Sequence, residues 1–331
     1  MVEMMATRDV YGQALLKLGE ENEDIVVLDA DLSGSTRTSK FAARFPRRFF
    51  NFGVAEANMV GYAAGLATCS KTPFVSTFAI FAACRAFEQI RNSVCWPNLN
   101  VKIVVSHAGI SVGEDGASHQ AIEDIAITRM LPNMTVVVPC DGIETEKAVV
   151  AAAKTKGPFY IRLGRASFPV ILDPDHKFEI GKAVTLKEGK DATIIACGLM
   201  VFEALGAREI LKEEGLDVRV INMSTIKPID KQAIMQAAKE TGAIVTAEEH
   251  TIIGGLGSAV AEVLAENIPT QIKMIGVRDT FGCSGSPKEL MKHFNLTKED
   301  IARAVLELKK DIKRSTDKKD SKIPLGHLKL P

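Results

Sequence analysis

Short runs rich in β-branched and aliphatic residues alternate with helical patterns along most of this chain, and that alternation limits what it can fold into. IVVLDA (25–30) is followed by the polar loop DLSGSTRTS, and PFVSTF (73–78) leads into a helix through FEQIRNSV. VKIVVSH (101–107) precedes a glycine-bearing loop and then the helix AIEDIAITRML. TVVVP (135–139) precedes a helix over 144–153, and FYIRLGR (159–165) follows. Strands separated by helices pair in parallel, so the expected class is α/β, a doubly wound and mainly parallel sheet. A loop-like stretch, 169–189, carries Pro169, Pro174, Gly181 and Gly189 and reads as a boundary. A second alternating set follows it: ATIIACG, a helix over 204–214, DVRVINM, a helix over 231–241, AIVTAEE, GGLGS opening a helix, and IKMIGV. The expected division is a first domain over residues 1–180 and a smaller α/β domain over 190–310. The charged, aperiodic segment 311–331 is set aside as a disordered or appended tail.

The length of 331 residues suits two domains of ordinary size with a core that needs no staples. With 41 basic and 41 acidic residues the net charge is zero, which gives no reason to expect nucleic acid or an anionic membrane as partner. The first residues lack the layout of a signal peptide, and no run approaches the roughly 20 apolar residues of a membrane span. The expected location is cytoplasmic. Six cysteines form no CxxC pair and no metal-like spacing, so they read as reduced, mostly buried small hydrophobes.

One carboxylate stands where the pattern is apolar. In NFGVAEANMVGYAAGLA (51–67), helical spacing puts Glu56 on a face with Met59, Val60, Ala63, Ala64 and Ala67. Gly53, Gly61 and Gly65 are poor helix formers, so the stretch reads as a helix packed tightly against something. An acid on that face is either desolvated and able to hold a proton near neutral pH, or satisfied by an arginine or by backbone N–H groups.

Other polar residues fall at one edge of the expected sheet. Ligands of open parallel sheets bind outside the carboxyl ends of the strands. Asp29, Asp31, Ser33 and Ser35 follow the first strand there, and Phe78 and Phe81 follow another. The loop SHAGISVGEDGASHQ supplies His107, Glu114, Asp115 and His119, and Arg165 closes the fifth strand. Taken singly, two Phe at i, i+3 are usually core, a loop histidine is usually solvated, and an arginine is often an ion-pair partner. Their convergence on one edge is what points to a site.

These residues resemble a family. GVAE with its following helix, STFAIF, GEDGASHQ and YIRLGR together are similar to the pyrimidine-binding half of transketolase, a thiamine-diphosphate enzyme. ATRDVYGQALLKLG, NMSTIKPID and EEHTIIGGLGS extend the likeness to about residue 308. By position, the resemblance implies that Glu56 hydrogen-bonds the cofactor's aminopyrimidine ring and favours its imino tautomer. It implies that Phe78 and Phe81 line the ring pocket, with Cys84 where some relatives have Tyr, and that Asp31 lies close to the cofactor. His107, Asp115 and His119 would contact sugar hydroxyls, with His119 also a proton shuttle. Arg8, Ser35 and Arg165 would hold a sugar phosphate, for which a guanidinium fork is well shaped.

The family's diphosphate half is missing. Its Gly-Asp-Gly signature, which serves a hard cation such as Mg²⁺ or Ca²⁺, is absent, because neither Asp115-Gly116 nor Asp141-Gly142 is preceded by Gly. GGLGSAV lacks the third glycine and downstream acid of a dinucleotide fingerprint. The resemblance therefore implies the C-terminal subunit of a split transketolase. Thiamine diphosphate would be shared with a separate N-terminal subunit that also binds the metal, this chain holding none, and two copies of each would form a heterotetramer. The implied reaction moves a two-carbon ketol unit from a ketose phosphate to an aldose phosphate in the non-oxidative pentose phosphate pathway. Alternatives are the β subunit of a 2-oxoacid dehydrogenase, a deoxyxylulose-phosphate synthase, or a non-catalytic scaffold that kept the fold. The GEDG…SHQ loop and LGR disfavour the first; the second is normally one long chain and tends to have Tyr-Pro-Arg-Gly where this chain has Leu-Gly-Arg. A nucleotide-binding module would need a phosphate-cradling glycine loop that the chain lacks.

Overall fold

The computed structural model describes residues 3–320. In chain order its strands are β1 (Met4–Ala6), β2 (Ile25–Asp29), β3 (Phe49–Asn51), β4 (Thr72–Phe78), β5 (Lys102–Ser106), β6 (Thr135–Val137) and β7 (Phe159–Arg162). They continue with β8 (Ser167–Pro169), β9 (Val184–Lys187), β10 (Ala192–Ala196), β11 (Val218–Asn222), β12 (Thr225–Lys227), β13 (Ala243–Thr251) and β14 (Gln271–Val277). One sheet has the order β12-β6-β7-β5-β4-β2-β3 and the other β14-β13-β10-β11-β9, while β1 and β8 form a small antiparallel pair.

Both sheets are mainly parallel, as the alternation requires. In the first, Leu28 lies beside Val75 and Val75 beside Ile103. Every residue of β2, β4 and β5 is buried, the mark of strands covered on both faces by helices. The antiparallel exceptions are β12 against β6 and β9 against β11. β12 comes from the second half of the chain and completes the edge of the first sheet. One hydrophobic cluster accordingly runs from Leu28, Val75 and Ile103 through Val136 and Val138 to Ile221, Met223 and Val260.

Local chemistry sets the helix ends. Asp230 accepts from the Ala233 N–H at 3.0 Å and starts the helix Lys231–Thr241, which stops at Gly242 in the left-handed region. Asp141 does the same for Gly142–Lys154, accepting from the Glu144 N–H at 2.9 Å.

Several local expectations are corrected. The segment after Phe78 is two π-helical turns, Phe81–Arg85 and Ile90–Cys95, around the short helix Phe87–Gln89. The helix expected over AIEDIAITRML covers only Asp124–Arg129. The boundary stretch 169–189 contains the end of β8 and all of β9. Gly53 precedes the helix Glu56–Thr68, and a Cβ on Gly61 or Gly65 would meet nothing within 4 Å, so this chain does not press on those glycines. Cys95, Cys140 and Cys197 are buried, but Cys69, Cys84 and Cys283 are exposed. The last helix, Lys298–Asp320, runs into the segment set aside as a tail, whose remainder, 321–331, lies outside the described residues. Among the described residues no helix is long and apolar enough to cross a membrane.

Candidate active site

The carboxyl ends of β2, β4, β5 and β7 converge on one edge of the first sheet. Asp29, at the end of β2, is fully buried. It accepts from Thr36 Oγ1 at 2.7 Å, Thr38 Oγ1 at 2.8 Å and the Leu32 N–H at 2.6 Å. Those bonds fix the loop that carries Asp31, Ser35 and Arg37. Asp31 adopts φ +64° and pairs with Asn51, whose Nδ2 donates to its carboxylate at 3.1 Å.

Aromatic rings line the centre of this edge. Phe78 and Phe81 stack at 5.7 Å with an interplanar angle of 17°. His107, at φ +56°, lies flat on Phe78 at 3.7 Å, and His119 meets Phe81 edge-on at 5.4 Å. His107 is buried, unlike the solvated histidine that a loop position usually means. Arg8 Nη1 lies 3.5 Å from its Nε2, and Ser106 Oγ lies 2.9 Å from its Nδ1. A guanidinium only donates, so Nε2 accepts and Nδ1–H donates to the serine. Burial first, then the positive charges of Arg8 and Arg165, push the imidazole down to about 3 and hold it neutral.

Guanidinium groups close one end. Arg8 Nη1 also donates to the Ser35 carbonyl at 3.2 Å, so it is the backbone of Ser35 that Arg8 holds. Arg8 Nε is buried without an acceptor, and burial together with Arg37 lowers the affinity of Arg8 for its proton. Arg37 pairs with Asp9 and was not singled out in the sequence. Arg165 Nη1 donates to the Val112 carbonyl at 2.7 Å and to the exposed Glu114 carboxylate at 3.0 Å, which pins it to the glycine loop. Asp115 sits exposed on that loop.

Glu56 opens its helix and is 3% exposed. Arg85, a second residue the sequence reading passed over, puts Nη1 3.4 Å from Glu56 Oε1 and lies 4.4 Å over the Phe81 ring. Its spacing four residues after Phe81 was the only available signal. Arg85 thus supplies the ion partner of the second reading of Glu56 and links the acid to the aromatic pair. Cys84, on the same turn as Phe81, is exposed and supplies no ring. Grooves of about 430 and 410 Å³ lie elsewhere, around Ile275, Arg278 and Phe281 and around Lys273 and Arg303. The edge can hold a flat heterocycle against two rings and an acid, beside an anion-tipped polar chain.

Comparison with known proteins gives the family. Residues 3–170 match the family model described as transketolase, pyrimidine binding domain, and residues 181–301 match transketolase, C-terminal domain. A protein of Methanocaldococcus jannaschii named as a transketolase C-terminal section is 52% identical over 303 residues, covering 91% of this chain and 95% of its own. The 6-deoxy-6-sulfo-D-fructose transketolase subunit of a Clostridium species is 44% identical, covering 91% of this chain and 94% of its own. A solved structure titled split gene transketolase, inactive beta4 tetramer, superposes with a TM-score of 0.86 at 53% identity, over 93% of this chain and 99% of that one. With both models in order along it and relatives of its own length, this chain belongs to the transketolase family, as a C-terminal subunit carrying the pyrimidine-binding and C-terminal domains.

Proposed function

We infer that this chain is the pyrimidine-binding subunit of a two-polypeptide transketolase that moves a two-carbon ketol unit from a ketose phosphate to an aldose phosphate. One observation carries the reading: a buried acid, a stacked aromatic pair and a buried guanidinium N–H without an acceptor share one open sheet edge. The domains follow residues 1–180 and 190–310.

These residues fit thiamine diphosphate. Phe78 and Phe81 would wall a flat ring together with the groups already on them, His107 on Phe78 and Arg85 on Phe81, and Glu56 would offer a carboxylate oxygen to a ring nitrogen. When bound, the cofactor supplies the carbon nucleophile and electron sink that ketol transfer needs. Glu56 would hold the ring through its carboxylate and manage a proton there, and Asp31 would stand on the cofactor's side of the edge. His107, Asp115 and His119 contact the sugar hydroxyls; His107 enters neutral, and His119 moves a proton. Arg8, Ser35 and Arg165 hold the terminal anion, and the free Arg8 Nε–H is a donor waiting for an anionic oxygen. A relative named for a sulfo sugar is consistent with a clamp that reads a tetrahedral anion.

The diphosphate and its Mg²⁺ or Ca²⁺ belong to a separate N-terminal subunit, a reading supported by relatives named as a C-terminal section and as a subunit that match this chain over 95% and 94% of their own length. Two copies of each chain form the enzyme, a cytoplasmic heterotetramer of the pentose phosphate pathway. The solved beta tetramer described as inactive supports the expectation that this chain alone does not turn over. The test is a coupled ketol-transfer assay on this chain, alone and with its N-terminal partner, with thiamine diphosphate and Mg²⁺. Activity only in the mixture is expected. Turnover by the single chain would overturn the split organisation, and a stable but inactive complex would move the assignment to another thiamine-dependent reaction or to a scaffold.

A further inference from the structure

The second domain reaches into the site of the first. β13 carries Glu248, Glu249 and His250, all buried, and His250 Nε2 accepts the Ala126 N–H of the helix Asp124–Arg129 at 3.3 Å. Arg162 of β7 donates through Nη2 to the Glu249 carbonyl at 3.0 Å while its Nε holds Asp124. The Glu249 carboxylate turns away from that pair toward the glycine loop, where Oε1 accepts the Ser111 N–H. It sits so close that a Cβ on Gly109, at φ +82°, would lie 2.3 Å from its Cδ. Gly109 and Ser111 stand two and four residues after His107.

A second tie holds the far end of the loop. Gln120, the unassigned last residue of SHQ, is buried beside His119. Its Nε2 donates to the Ile110 carbonyl at 3.3 Å, the Gly113 carbonyl at 3.2 Å and the Cys283 carbonyl of the second domain at 2.9 Å. The arc that bears His107, Asp115 and His119, and whose Val112 carbonyl receives Arg165, is therefore clamped from the second domain at both ends. Burial pushes the Glu249 carboxyl up to about 7 against the pull of Arg162 and the Ser111 N–H. An apolar residue would carry no such desolvation, but it could not accept that N–H.

We propose that Glu249 is a positioning residue for the substrate loop, through which the C-terminal domain sets the placement of His107, Asp115 and His119 against the hydroxyl chain of the sugar. The proposal rests on the function inferred above. Misplacing a contact group by about 1 Å can cost on the order of a hundredfold.

The test uses the complete two-subunit enzyme with Glu249→Ala, Glu249→Gln and Gln120→Ala. Glu249→Ala should raise KM for the ketose phosphate roughly tenfold or more, while kcat/KM for a three-carbon ketol donor without the hydroxyl chain stays within about twofold. Glu249→Gln keeps an oxygen for the Ser111 N–H and should restore KM to within about threefold of the parent. Amide hydrogen exchange over 107–120 should quicken in Glu249→Ala and not in Glu249→Gln. If Glu249→Ala does not fold, Gln120→Ala carries the same expected split between donors. Unchanged KM in the alanine variants, or an equal loss for both donors without rescue by Gln, would overturn the proposal. A parent complex without ketol transfer would instead overturn the function on which it rests.

Discussion

Two buried carboxylates of the first domain, Asp124 and Glu56, are treated in opposite ways. Asp124 is 0% exposed and receives Arg162 Nε at 3.1 and 2.9 Å on its two oxygens, with the Tyr160 hydroxyl donating at 2.8 Å. Arg162 is itself buried. Glu56 is nearly as inaccessible at 3%, yet its ion partner is the half-exposed Arg85 at 3.4 Å. A buried acid with both oxygens satisfied ties elements together. One left with a single long contact keeps acceptor capacity for something else. The first lies at the seam between domains, the second at the open sheet edge. Where satisfaction is withheld, the fold has left room for a ligand.

The sharpest way to break that contrast is Glu56→Gln in the assembled enzyme. If Glu56 manages a proton on the cofactor ring, ketol transfer should fall about 10²- to 10⁴-fold, the usual worth of such a group. Unfolding free energy should stay within about 1 kcal/mol, since the amide keeps the shape and the burial. Substantial residual turnover would reduce Glu56 to a second structural acid.

Asp124→Ala tests the other side. It strands the Arg162 guanidinium in the seam, and loss of one partner of a buried pair costs about 3–5 kcal/mol. Urea unfolding should show that loss, accompanied by lower yields of folded chain. A change below about 1 kcal/mol would mean that the seam does not depend on this pair.

The architecture was legible in the sequence because burial repeats with the period of each element. The helix Lys231–Thr241 was bounded at both ends, since Asp230 caps it and Gly242 supplies the left-handed turn. β12 was not legible: three residues pair antiparallel with a strand some 90 positions earlier, and no local pattern names so distant a neighbour. The site divided the same way. Phe78, His107, His119 and Arg165 could be gathered because Phe78 ends a recognisable strand and the others lie in the segments that follow one. Arg37 and Arg85 could not, because an arginine on a helical turn reads like any solvated charge until its partner is known. Glu249 was hidden by distance, lying 138 positions from the amide it holds.

A smaller effect separates edge from seam through pH. His107 is held neutral at about 3, below its ordinary 6.5, so the unfolded chain binds its proton more tightly than the folded one. Its contribution to stability is complete above about pH 6.5 and is lost as pH falls toward about 3. At the seam His250, lowered to about 4, runs the same way, but Glu248 and Glu249, raised to about 7, run against it. The folded state takes up protons on those acids between about pH 7 and 4.5, and stability gains there as pH falls. Among these four groups the two carboxyls outweigh the two imidazoles between pH 7.5 and 5.0, and removing the His107 imidazole tips the balance further: urea unfolding should show the change in stability from pH 7.5 to 5.0 more favourable in His107→Gln than in the parent. The same change in both proteins would place the acid sensitivity elsewhere.

The finest test exchanges the arginines. Arg85→Met keeps length and ring contact with Phe81 while deleting the charge beside Glu56. Because the guanidinium is half exposed, its attraction for Glu56 is screened, and the loss should be about 1 kcal/mol or less. Arg162→Met, by contrast, leaves Asp124 buried with no counter-charge at hydrogen-bond distance and should cost about 3–5 kcal/mol. Denaturant midpoints of the two variants, measured side by side, read the difference directly. If Arg85→Met costs as much as Arg162→Met, then Glu56 needs its arginine in order to fold. The acid at the sheet edge would then be built like the acid at the seam, with no acceptor capacity held back for a ring nitrogen.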